Sequence, residues 1–522
     1  MTSIGEALVQ GLKARGVEVV FGIPGVHTIE LYRGLPNSGL RHVTPRHEGA
    51  AAFMADGYAR ISGKPGIAFV ITGPGVANTL TPMGQARADS VPVLVIAGAN
   101  VVASQGQGLG LLHELPDQLA MASTVALLAE EIGTAADLTP ALDAAFAVLT
   151  AGRGGPVLLQ VPTNVMPRPC PALAAPAPFP TTPRPDPAAL AAMAERLIRA
   201  RRPVILAGGG AKRADVALRA VAEALDAPVI QTTNARGLMH GHPLTVPASP
   251  SLMAVRDLIA DADAILAVGT EFGPTDYDMY SRGNFPDISA MMRIDIDADQ
   301  LSRHPAALAV AADAGPALAA LAPLLGVRKG DGATRAATTR AAARAELVPA
   351  IQQQVTMLEA IRSALPGCII AGDSTQPVYA GNLYYDHDRP GGWFNAATGF
   401  GALGYGAPAA IGAAIAAPGT PVVCLTGDGG LQFSLAELLT AMDEGVDVTF
   451  LVWNNAGYRE IAEAMEAAGT DVIGCDPTPP LFAPLAAAVR MPFESVEATP
   501  EALAAALRAP RQGPRMIEVR VN

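Results

Sequence analysis

Short runs of valine, isoleucine and leucine recur along the whole chain, and each run ends at glycine or a similar turn residue. Examples are VEVVFGIPG, GIAFVITGPG and VPVLVIAGA near the start, RPVILAGGG and ADAILAVGTE in the middle, and GCIIAGDST, TPVVCLTGDGG and DVTFLVWNN towards the end. Helical patterns separate the runs. Strands without a polar side are typical of parallel sheets covered by helices on both faces. We therefore predict an α/β fold of doubly wound sheets, whose ligands bind beyond the carboxyl ends of the strands.

Two segments divide these runs into three groups of similar size. The proline-rich segment 166–187 cannot enter a helix interior or a sheet centre, so it is predicted to be an extended crossover. The segment 326–346 begins polar and then becomes a helix rich in alanine and arginine. A chain of 522 residues is too long for one core. We predict three consecutive doubly wound parallel-sheet domains at residues 1–165, 186–326 and 346–522.

The composition restricts the partners and the compartment. Half of the residues are hydrophobic, 16% are charged, and the formal net charge is -12. This excludes global disorder and disfavours nucleic acid and membrane as partners, while a cationic substrate would not be repelled. The first residues predict an amphipathic helix rather than a signal peptide, and no apolar stretch is long enough to span a bilayer. The four cysteines are scattered without CxxC spacing, so we expect a reduced, cytoplasmic protein.

Two strand ends in the third group carry metal-ligand chemistry. The strand PVVCLT runs into GDGG at 427–430, and the strand DVTFLVW ends in Asn454 and Asn455. Asp428 and Asn455 offer hard oxygens at neighbouring strand ends, as Mg²⁺ or Ca²⁺ requires. The glycines let backbone N–H groups approach phosphate oxygens, and the following helix presents its positive end. GDGG alone is often only a turn, but the second strand end makes a metal–diphosphate site the better interpretation.

GDGG followed after about two dozen residues by NN resembles the signature of thiamine-diphosphate enzymes, and the resemblance covers the whole chain. It is closest to the acetolactate synthase and 2-oxo acid decarboxylase group. The resemblance implies an N-terminal pyrimidine-binding domain, a central domain and a C-terminal diphosphate-binding domain. It further implies that Asp428, the Asn455 side chain and the Gly457 carbonyl bind Mg²⁺, with Ca²⁺ as a substitute. Other implied cofactor contacts are Thr375, Gln376, Gly427, Gly429, Gly430 and Tyr458.

Glu48 opens the segment EGAAAFMADGYAR, whose small residues predict a closely packed helix. A glutamate near a helix N-terminus is by itself usually a partner of the helix dipole. In the family that the chain resembles, a glutamate of this motif hydrogen-bonds N1′ of the aminopyrimidine ring and favours its imino tautomer. The resemblance therefore implies that Glu48 is catalytic and cofactor-binding, which requires a carboxyl held away from water.

The stretch ATGFGALGYGAPAAIGAA is glycine-rich enough to pass close to a ligand, and its second half predicts a packed helix. In the family, the equivalent loop lies under the cofactor. The resemblance implies that Leu403 imposes the bent cofactor conformation and that the Gly401 carbonyl accepts a hydrogen bond from the N4′ amino group. Such preorganisation is a proximity effect.

Two histidines are candidate proton donors at the substrate end. His27 lies in GIPGVH and His113 in GLLHELPDQ, and each is as readily structural as catalytic. Histidine titrates in the range that proton transfer at neutral pH requires. The chain departs here from the best-known relatives, because Val26 stands where some decarboxylases have Asp or Ser. The His113 region replaces a histidine pair of pyruvate decarboxylase and a Phe-Gln of acetolactate synthase.

Glu460 is a further catalytic candidate, in the predicted helix GYREIAEAMEAAG. Pyruvate decarboxylases have a catalytic glutamate one position later, where this chain has Ile461. Glu460 therefore either contacts substrate or faces solvent. In the middle of the chain, GGGAKRA is an incomplete glycine fingerprint. Some relatives bind FAD or ADP there, but we expect a structural domain without either nucleotide.

The resemblance implies cleavage or formation of the bond next to the carbonyl of a small 2-oxo acid. We expect a decarboxylase, because the His113 region and the weak glycine fingerprint differ from acetolactate synthase. The pattern looks like enzymes acting on 5-guanidino-2-oxopentanoate, and Glu114, Asp117 and Glu460 are available to pair a guanidinium group. An acetolactate synthase-like carboligase acting on pyruvate stays open. So does a non-catalytic regulatory homologue that binds thiamine diphosphate.

The resemblance also implies the assembly. The family forms each active site between two chains, so Glu48 and Asp428 of one site would come from different subunits. We therefore expect a homodimer as the minimum and a homotetramer as a common form.

Overall fold

The computed structural model describes residues 2–279, 281–283 and 285–521. Their strands form three six-stranded sheets and one two-stranded ribbon. Within each large sheet every paired strand is parallel to its neighbours, and helices cover both faces. The predicted α/β class with three doubly wound sheets is confirmed, whereas the exact domain boundaries stay predictions.

The N-terminal part contains one large sheet and six α-helices. Its strands are β1 (Thr2–Ser3), β2 (Val19–Gly22), β3 (Arg41–Val43), β4 (Gly66–Val70), β5 (Val93–Ala99), β6 (Leu128–Glu131), β7 (Val157–Pro162) and β8 (Pro169–Cys170). Its helices are α1 (Ile4–Ala14), α2 (Ile29–Gly34), α3 (Glu48–Ser62), α4 (Pro74–Ala88), α5 (Gln118–Ser123) and α6 (Leu138–Thr150). The sheet order is β3-β2-β4-β5-β7-β6, and β1 pairs with β8 in the ribbon.

The central part repeats the architecture. Its strands are β9 (Pro203–Ala207), β10 (Val229–Gln231), β11 (Thr245–Val246), β12 (Ala264–Val268), β13 (Met292–Asp295) and β14 (Leu308–Ala311). Its helices are α7 (Pro187–Arg199), α8 (Asp215–Leu225), α9 (Met253–Ala260), α10 (Pro274–Tyr277), α11 (Ala298–Arg303) and α12 (Ala314–Leu321). The sheet order is β11-β10-β9-β12-β13-β14.

The two segments predicted to link the domains differ in structure. Residues 171–186 contain neither helix nor strand, as an extended crossover requires. The second segment forms α13 (Gly332–Glu346), as its alanine-rich pattern predicts. However, Ala336 and Ala343 of α13 are buried in the same core as Val204 and Leu206 of β9. The helix thus covers the central sheet. Its apolar face explains why it packs on this sheet and is not a free linker between two domains.

The C-terminal part contains the third sheet. Its strands are β15 (Ile369–Gly372), β16 (Trp393–Asn395), β17 (Val422–Gly427), β18 (Val448–Asn454), β19 (Phe493–Glu497) and β20 (Arg515–Arg520). Its helices are α14 (Pro349–Ala364), α15 (Gln376–Leu383), α16 (Gly406–Ala416), α17 (Asp428–Leu431), α18 (Glu437–Glu444), α19 (Arg459–Ala467), α20 (Phe482–Ala488) and α21 (Pro500–Arg508). The order is β16-β15-β17-β18-β20-β19, so β15, β17 and β18 end side by side.

Helices α3 and α16 join the first and third sheets through a shared apolar core. A Cβ atom on Gly57 would lie 2.0 Å from the Ala409 carbonyl oxygen, and one on Gly412 would lie 1.9 Å from that of Met54. The helices therefore run antiparallel with their backbones in contact, which only glycine permits at these positions. Among the described residues, no helix combines the length and apolarity needed to cross a bilayer.

Candidate active site

Three oxygen atoms converge where β17 and β18 end. The Asn455 side chain donates from its amide nitrogen to Gln376 Oε1 at 3.0 Å. The other polar atom of this amide lies 2.9 Å from the Gly457 carbonyl oxygen and 3.1 Å from Asp428 Oδ1, and with the amide turned over its nitrogen donates to both oxygens. Asp428 is 1% exposed, and no described residue forms a hydrogen bond with its Oδ2. The buried Asp428 Oδ2 is therefore an acceptor that is available to a cation.

This oxygen set suits Mg²⁺ or Ca²⁺ because all three atoms are hard ligands. No cluster of three or more His, Cys, Asp or Glu side chains poised for a metal occurs in the described part of the chain. The predicted site instead combines one carboxylate with an amide and a backbone oxygen. Burial raises the pKa of Asp428.

The neighbouring glycines are required by close backbone packing. A Cβ on Gly429 would lie 2.4 Å from the Tyr458 ring, and one on Gly457 would lie 2.5 Å from the Cys475 carbonyl oxygen. Gly427 faces Thr375, which is buried just before α15. The predicted diphosphate contacts Thr375, Gln376, Gly427, Gly429, Gly430 and Tyr458 therefore lie around the same strand ends, although their contact with a cofactor stays a prediction.

Asp373, directly after β15, is a site residue that the sequence reasoning missed. Its carboxylate is fully buried and accepts from the backbone N–H groups of Ser374 (2.8 Å), Gly404 (3.3 Å) and Gly406 (3.0 Å). Burial raises its pKa to about 6 despite these bonds. The acid in GDSTQP was the available indication, but nothing in the sequence shows that it binds a loop thirty residues later.

The segment that follows β16, here called the glycine-rich loop (residues 396–405), carries Gly401 and Leu403. Asp373 holds its carboxyl end through Gly404. Gly401 is exposed and has a φ of 78°, a conformation that favours glycine. Leu403 is half-buried. The carboxyl end of the loop thus lies at Asp373, which also packs against Gly430 beside Asp428.

Glu48 lies at the N-terminus of α3, as predicted. Its Oε2 accepts a hydrogen bond from the Asn78 side-chain amide of α4 at 3.0 Å, and the residue is half-buried. Because β3 and β4 lie on either side of β2 in one parallel sheet, their carboxyl ends meet at the same edge, and the two helices that follow them start there. The carboxyl is therefore oriented and partly shielded from water, and its second oxygen has no hydrogen-bond partner among the described residues, which leaves it free to bind a ligand.

The structure brings His27 and His113 together. Their ring centroids are 5.1 Å apart, and the Nδ1 atoms of both are buried without a hydrogen-bond partner. Burial, and then the neighbouring charge of His113, lowers the pKa of His27, so this ring is neutral at neutral pH. His113 has a φ of 60°, and its carbonyl packs against Gly73, the residue before α4. Two unpartnered imidazoles on neighbouring loops suit proton transfer.

The three carboxylates predicted to pair a guanidinium group differ in whether the protein itself already binds them. Glu114 accepts from the Leu109 and Leu111 amides at 3.0 and 2.9 Å, so it closes its own loop. Asp117 caps α5 through Ala120 N–H at 2.9 Å. Glu460, exposed in the single chain, shows no hydrogen bond or ion pair among the described residues. Partial burial, and then the like charge of Glu463, raises its pKa.

The two halves of the candidate site lie apart within one chain. Gly406 starts α16 beside Asp373, whereas the antiparallel packing places Glu48 near the other end of α16. The backbone N–H of Arg46 donates to Glu437 of α18 at 3.0 Å, which holds this end in place. An eleven-residue helix is about 16 Å long, so Glu48 does not reach the oxygen cluster of its own chain.

The glycines of GGGAKRA in the central part allow two backbone segments to pack closely. A Cβ on Gly208 would lie 2.2 Å from the Gly269 carbonyl oxygen, and one on Gly210 would lie 2.8 Å from the Gly269 Cα. A cavity of about 380 Å³, lined in part by Lys212, Asn234 and Asp295, opens beyond these strand ends. The glycines are thus explained without a nucleotide, and the expectation that neither FAD nor ADP binds stays a prediction.

Parallel sheets whose glycine-rich strand ends present metal-ligand oxygens define a cofactor-binding α/β enzyme. Residues 2–121 match the model of the thiamine pyrophosphate enzyme N-terminal TPP binding domain. Residues 190–321 match the central domain, and residues 373–519 match the C-terminal TPP binding domain. The chain belongs to the thiamine pyrophosphate enzyme family, as its motifs predict.

The chain is similar to the probable 2-ketoarginine decarboxylase AruI of Pseudomonas aeruginosa, with 43% identity over 501 residues covering 94% of this chain and 89% of the relative. It is also similar to the acetolactate synthase large subunit of Haemophilus influenzae, with 29% identity covering 86% and 82%. The thiamine diphosphate-dependent 4-hydroxybenzoylformate decarboxylase of Rhodococcus jostii shares the fold, with a TM-score of 0.84, 24% identity and coverage of 100% and 99%.

Proposed function

We propose that the protein is a decarboxylase that converts 5-guanidino-2-oxopentanoate, the compound also called 2-ketoarginine, into 4-guanidinobutanal and carbon dioxide. The observation that carries this proposal is the 43% identity to the probable 2-ketoarginine decarboxylase over nearly the whole chain. The paired imidazoles at the N-terminal half-site support it, because the reaction replaces a carboxylate by a proton.

Thiamine diphosphate and Mg²⁺ are the proposed cofactors. Asp428, Asn455 and the Gly457 carbonyl would hold the metal, since the Asn455 amide lies within 3.1 Å of the other two groups and the buried Asp428 Oδ2 has no hydrogen-bond partner among the described residues. Thr375 and the glycines of 427–430 would face the diphosphate. Bound thiamine diphosphate supplies an electron sink that stabilises the carbanion left when carbon dioxide departs.

The protein residues then orient groups and move protons. Glu48, oriented by Asn78, would share a proton with N1′ of the aminopyrimidine. The Gly401 carbonyl would accept a hydrogen bond from the N4′ amino group. We propose His113 as the proton donor that yields the aldehyde, because His27 is kept neutral by burial and by its neighbour. A neutral His27 would pass the proton on and would not be the group that holds it.

We propose Glu460 as the guanidinium partner. It has no hydrogen bond or ion pair among the described residues, whereas Glu114 and Asp117 bind backbone amides of their own loops. Replacing Glu460 by Gln should raise the KM for 5-guanidino-2-oxopentanoate by about tenfold, as loss of a charge-assisted bond predicts. It should leave the KM for the uncharged 2-oxopentanoate unchanged. Glu466→Gln on the same helix is the control, and equal effects on both substrates would contradict the assignment.

A panel of 2-oxo acids with coupled aldehyde detection tests the proposed function. We expect turnover of 5-guanidino-2-oxopentanoate that requires both thiamine diphosphate and Mg²⁺, and little aldehyde from pyruvate. Good turnover of pyruvate without turnover of the guanidino compound would refute the substrate. The acetolactate synthase relatives favour one alternative, a carboligase acting on pyruvate. Acetoin formed on acid treatment of a pyruvate reaction would support that alternative.

We propose an assembly of at least two chains and, as a further step, a homotetramer. The support is the separation of Glu48 from the oxygen cluster of its own chain by the length of α16. A second copy is needed to bring the two half-sites together. We also propose a cytoplasmic location, supported by four cysteines that are buried and unpaired (Cys170, Cys368, Cys424 and Cys475).

A further inference from the structure

One face of α4 supports the glycine-rich loop. Gly84 leaves room for the Phe400 ring, because a Cβ there would lie 2.6 Å from the ring. In the same way, a Cβ on Gly399 would lie 2.6 Å from the Ala88 Cβ. Positions 84, 85, 88 and 89 share one side of a helix that turns every 3.6 residues. The loop therefore rests directly on this side of α4.

A polar chain runs through this contact. Gln85 is fully buried, and its Oε1 accepts from the Ala402 backbone N–H at 3.3 Å. Its Nε2 donates to Asp89 Oδ2 at 3.3 Å. Arg60 donates to the same carboxylate oxygen at 2.7 Å. Because a carboxylate accepts and does not donate, Asp89 forces the amide nitrogen of Gln85 to face it and the amide oxygen to face the loop.

Asp89 also fastens the other end of the loop. The Thr398 hydroxyl lies 3.0 Å from both carboxylate oxygens of Asp89. The Thr398 carbonyl accepts from the Thr275 hydroxyl of the central part at 2.8 Å. Gln85 thus contacts a loop whose preceding turn is already anchored, so its bond to Ala402 fixes the next peptide group.

We propose that Gln85 is a positioning residue that aims the Gly401 carbonyl at the aminopyrimidine. The Ala402 N–H belongs to the same planar peptide as the Gly401 carbonyl, and in a trans peptide the two groups point in opposite directions. Fixing the N–H therefore fixes the carbonyl. This inference rests on the proposed cofactor site. It assigns to Gln85, on α4 of the N-terminal part, the positioning of the glycine-rich loop of the C-terminal part.

The variant Gln85→Met keeps the length and burial of the side chain and removes both hydrogen bonds. Gln231→Met is the matched control, because Gln231 is equally buried and bonded to Leu238 and Thr245 but does not contact the loop. Gln85→Leu carries the same expectation if the methionine variant does not fold. A merely structural role for Gln85 predicts that all three variants behave alike.

The experiment uses the full chain with thiamine diphosphate and Mg²⁺ and without substrate. We expect similar losses of melting temperature in the apo forms of the Gln85 and Gln231 variants. Only the Gln85 variants should lose the near-UV circular dichroism of the bound imino tautomer. Their kcat for the 2-oxo acid should fall by about tenfold to a hundredfold, while its KM changes little.

A wild-type dichroism spectrum and kcat in Gln85→Met would overturn the inference, as would equal losses in Gln231→Met. Both results would leave the proposed function standing. Wild-type protein that binds no thiamine diphosphate, measured by calorimetry, would overturn the proposed function and this inference with it. The cofactor titration therefore separates the two failures before any turnover is measured.

Discussion

The Glu48 carboxyl shows how the fold prepares a single residue for chemistry. Asn78 orients one oxygen, and the other has no hydrogen-bond partner in the described part of the chain. We expect Glu48→Gln to bind thiamine diphosphate with nearly unchanged affinity, because the amide keeps the size and one acceptor. Turnover should fall by at least about a hundredfold, the scale of a lost general acid–base group. Calorimetry and aldehyde detection measure the two quantities.

Glu195→Gln, on the exposed surface of α7, is the control for this variant. Full activity of Glu48→Gln would remove Glu48 from the catalytic residues. Loss of cofactor binding together with turnover would instead assign it a binding role only.

We propose that the Asp428 carboxylate serves cofactor binding but lowers the stability of the apo protein. Its carboxylate is buried, and one oxygen lacks a partner, so ionisation destabilises the apo protein. We expect Asp428→Asn to stabilise the apo chain by about 1–2 kcal/mol in urea titrations. The same change should weaken Mg²⁺-dependent binding of thiamine diphosphate by about tenfold or more. Asp471→Asn, at an exposed position, should change neither, and an apo chain destabilised by Asp428→Asn would argue against a cation site.

Among the single residues of the candidate site, the sequence predicted those that belong to contiguous motifs. Glu48, Asp428 and Asn455 could be located because each stands at the end of a recognisable strand or the start of a helix. Asp373, Asn78 and Gln85 could not, because their partners lie far along the chain or on another sheet. Their roles depend on packing that no local pattern encodes.

At the scale of elements, the α3–α16 pair joins the two halves of the cofactor machinery. We expect Gly57→Ala to cost about 1–3 kcal/mol of unfolding free energy, because the new methyl group would collide with the Ala409 carbonyl. Urea denaturation measures this loss. Gly326→Ala, where nothing lies within 4 Å of a Cβ, should cost far less. Equal costs would show that the helices tolerate separation.

Eight strands were predicted from apolar runs, and all eight are present as β2, β4, β5, β9, β12, β15, β17 and β18. They are mainly the central strands, whose side chains are buried on both faces. Edge strands such as β3 and β6 escaped detection, because partial exposure gives them a mixed pattern. The helical segment at 326–346 was predicted, but its packing over the central sheet depends on contacts with β9 and α9.

At the scale of the whole molecule, the separated half-sites predict complementation between subunits. Glu48→Gln chains should have little activity alone, and so should Asp428→Asn chains at a thiamine diphosphate concentration that does not saturate them. Co-expressed, they should form mixed dimers in which one site carries both changes and the other carries neither. About a quarter of wild-type activity should return, since half of the dimers are mixed and each has one intact site. No recovery in verified mixed dimers would place both half-sites in one chain.

The proposed decarboxylation is tested most directly by nuclear magnetic resonance analysis of the products formed from 5-guanidino-2-oxopentanoate by purified protein with thiamine diphosphate and Mg²⁺. We expect one molecule of 4-guanidinobutanal for each carbon dioxide released, and no reaction when either cofactor is omitted. A ligated product in place of the aldehyde, or no consumption of this substrate by cofactor-loaded protein, would contradict the proposed decarboxylation.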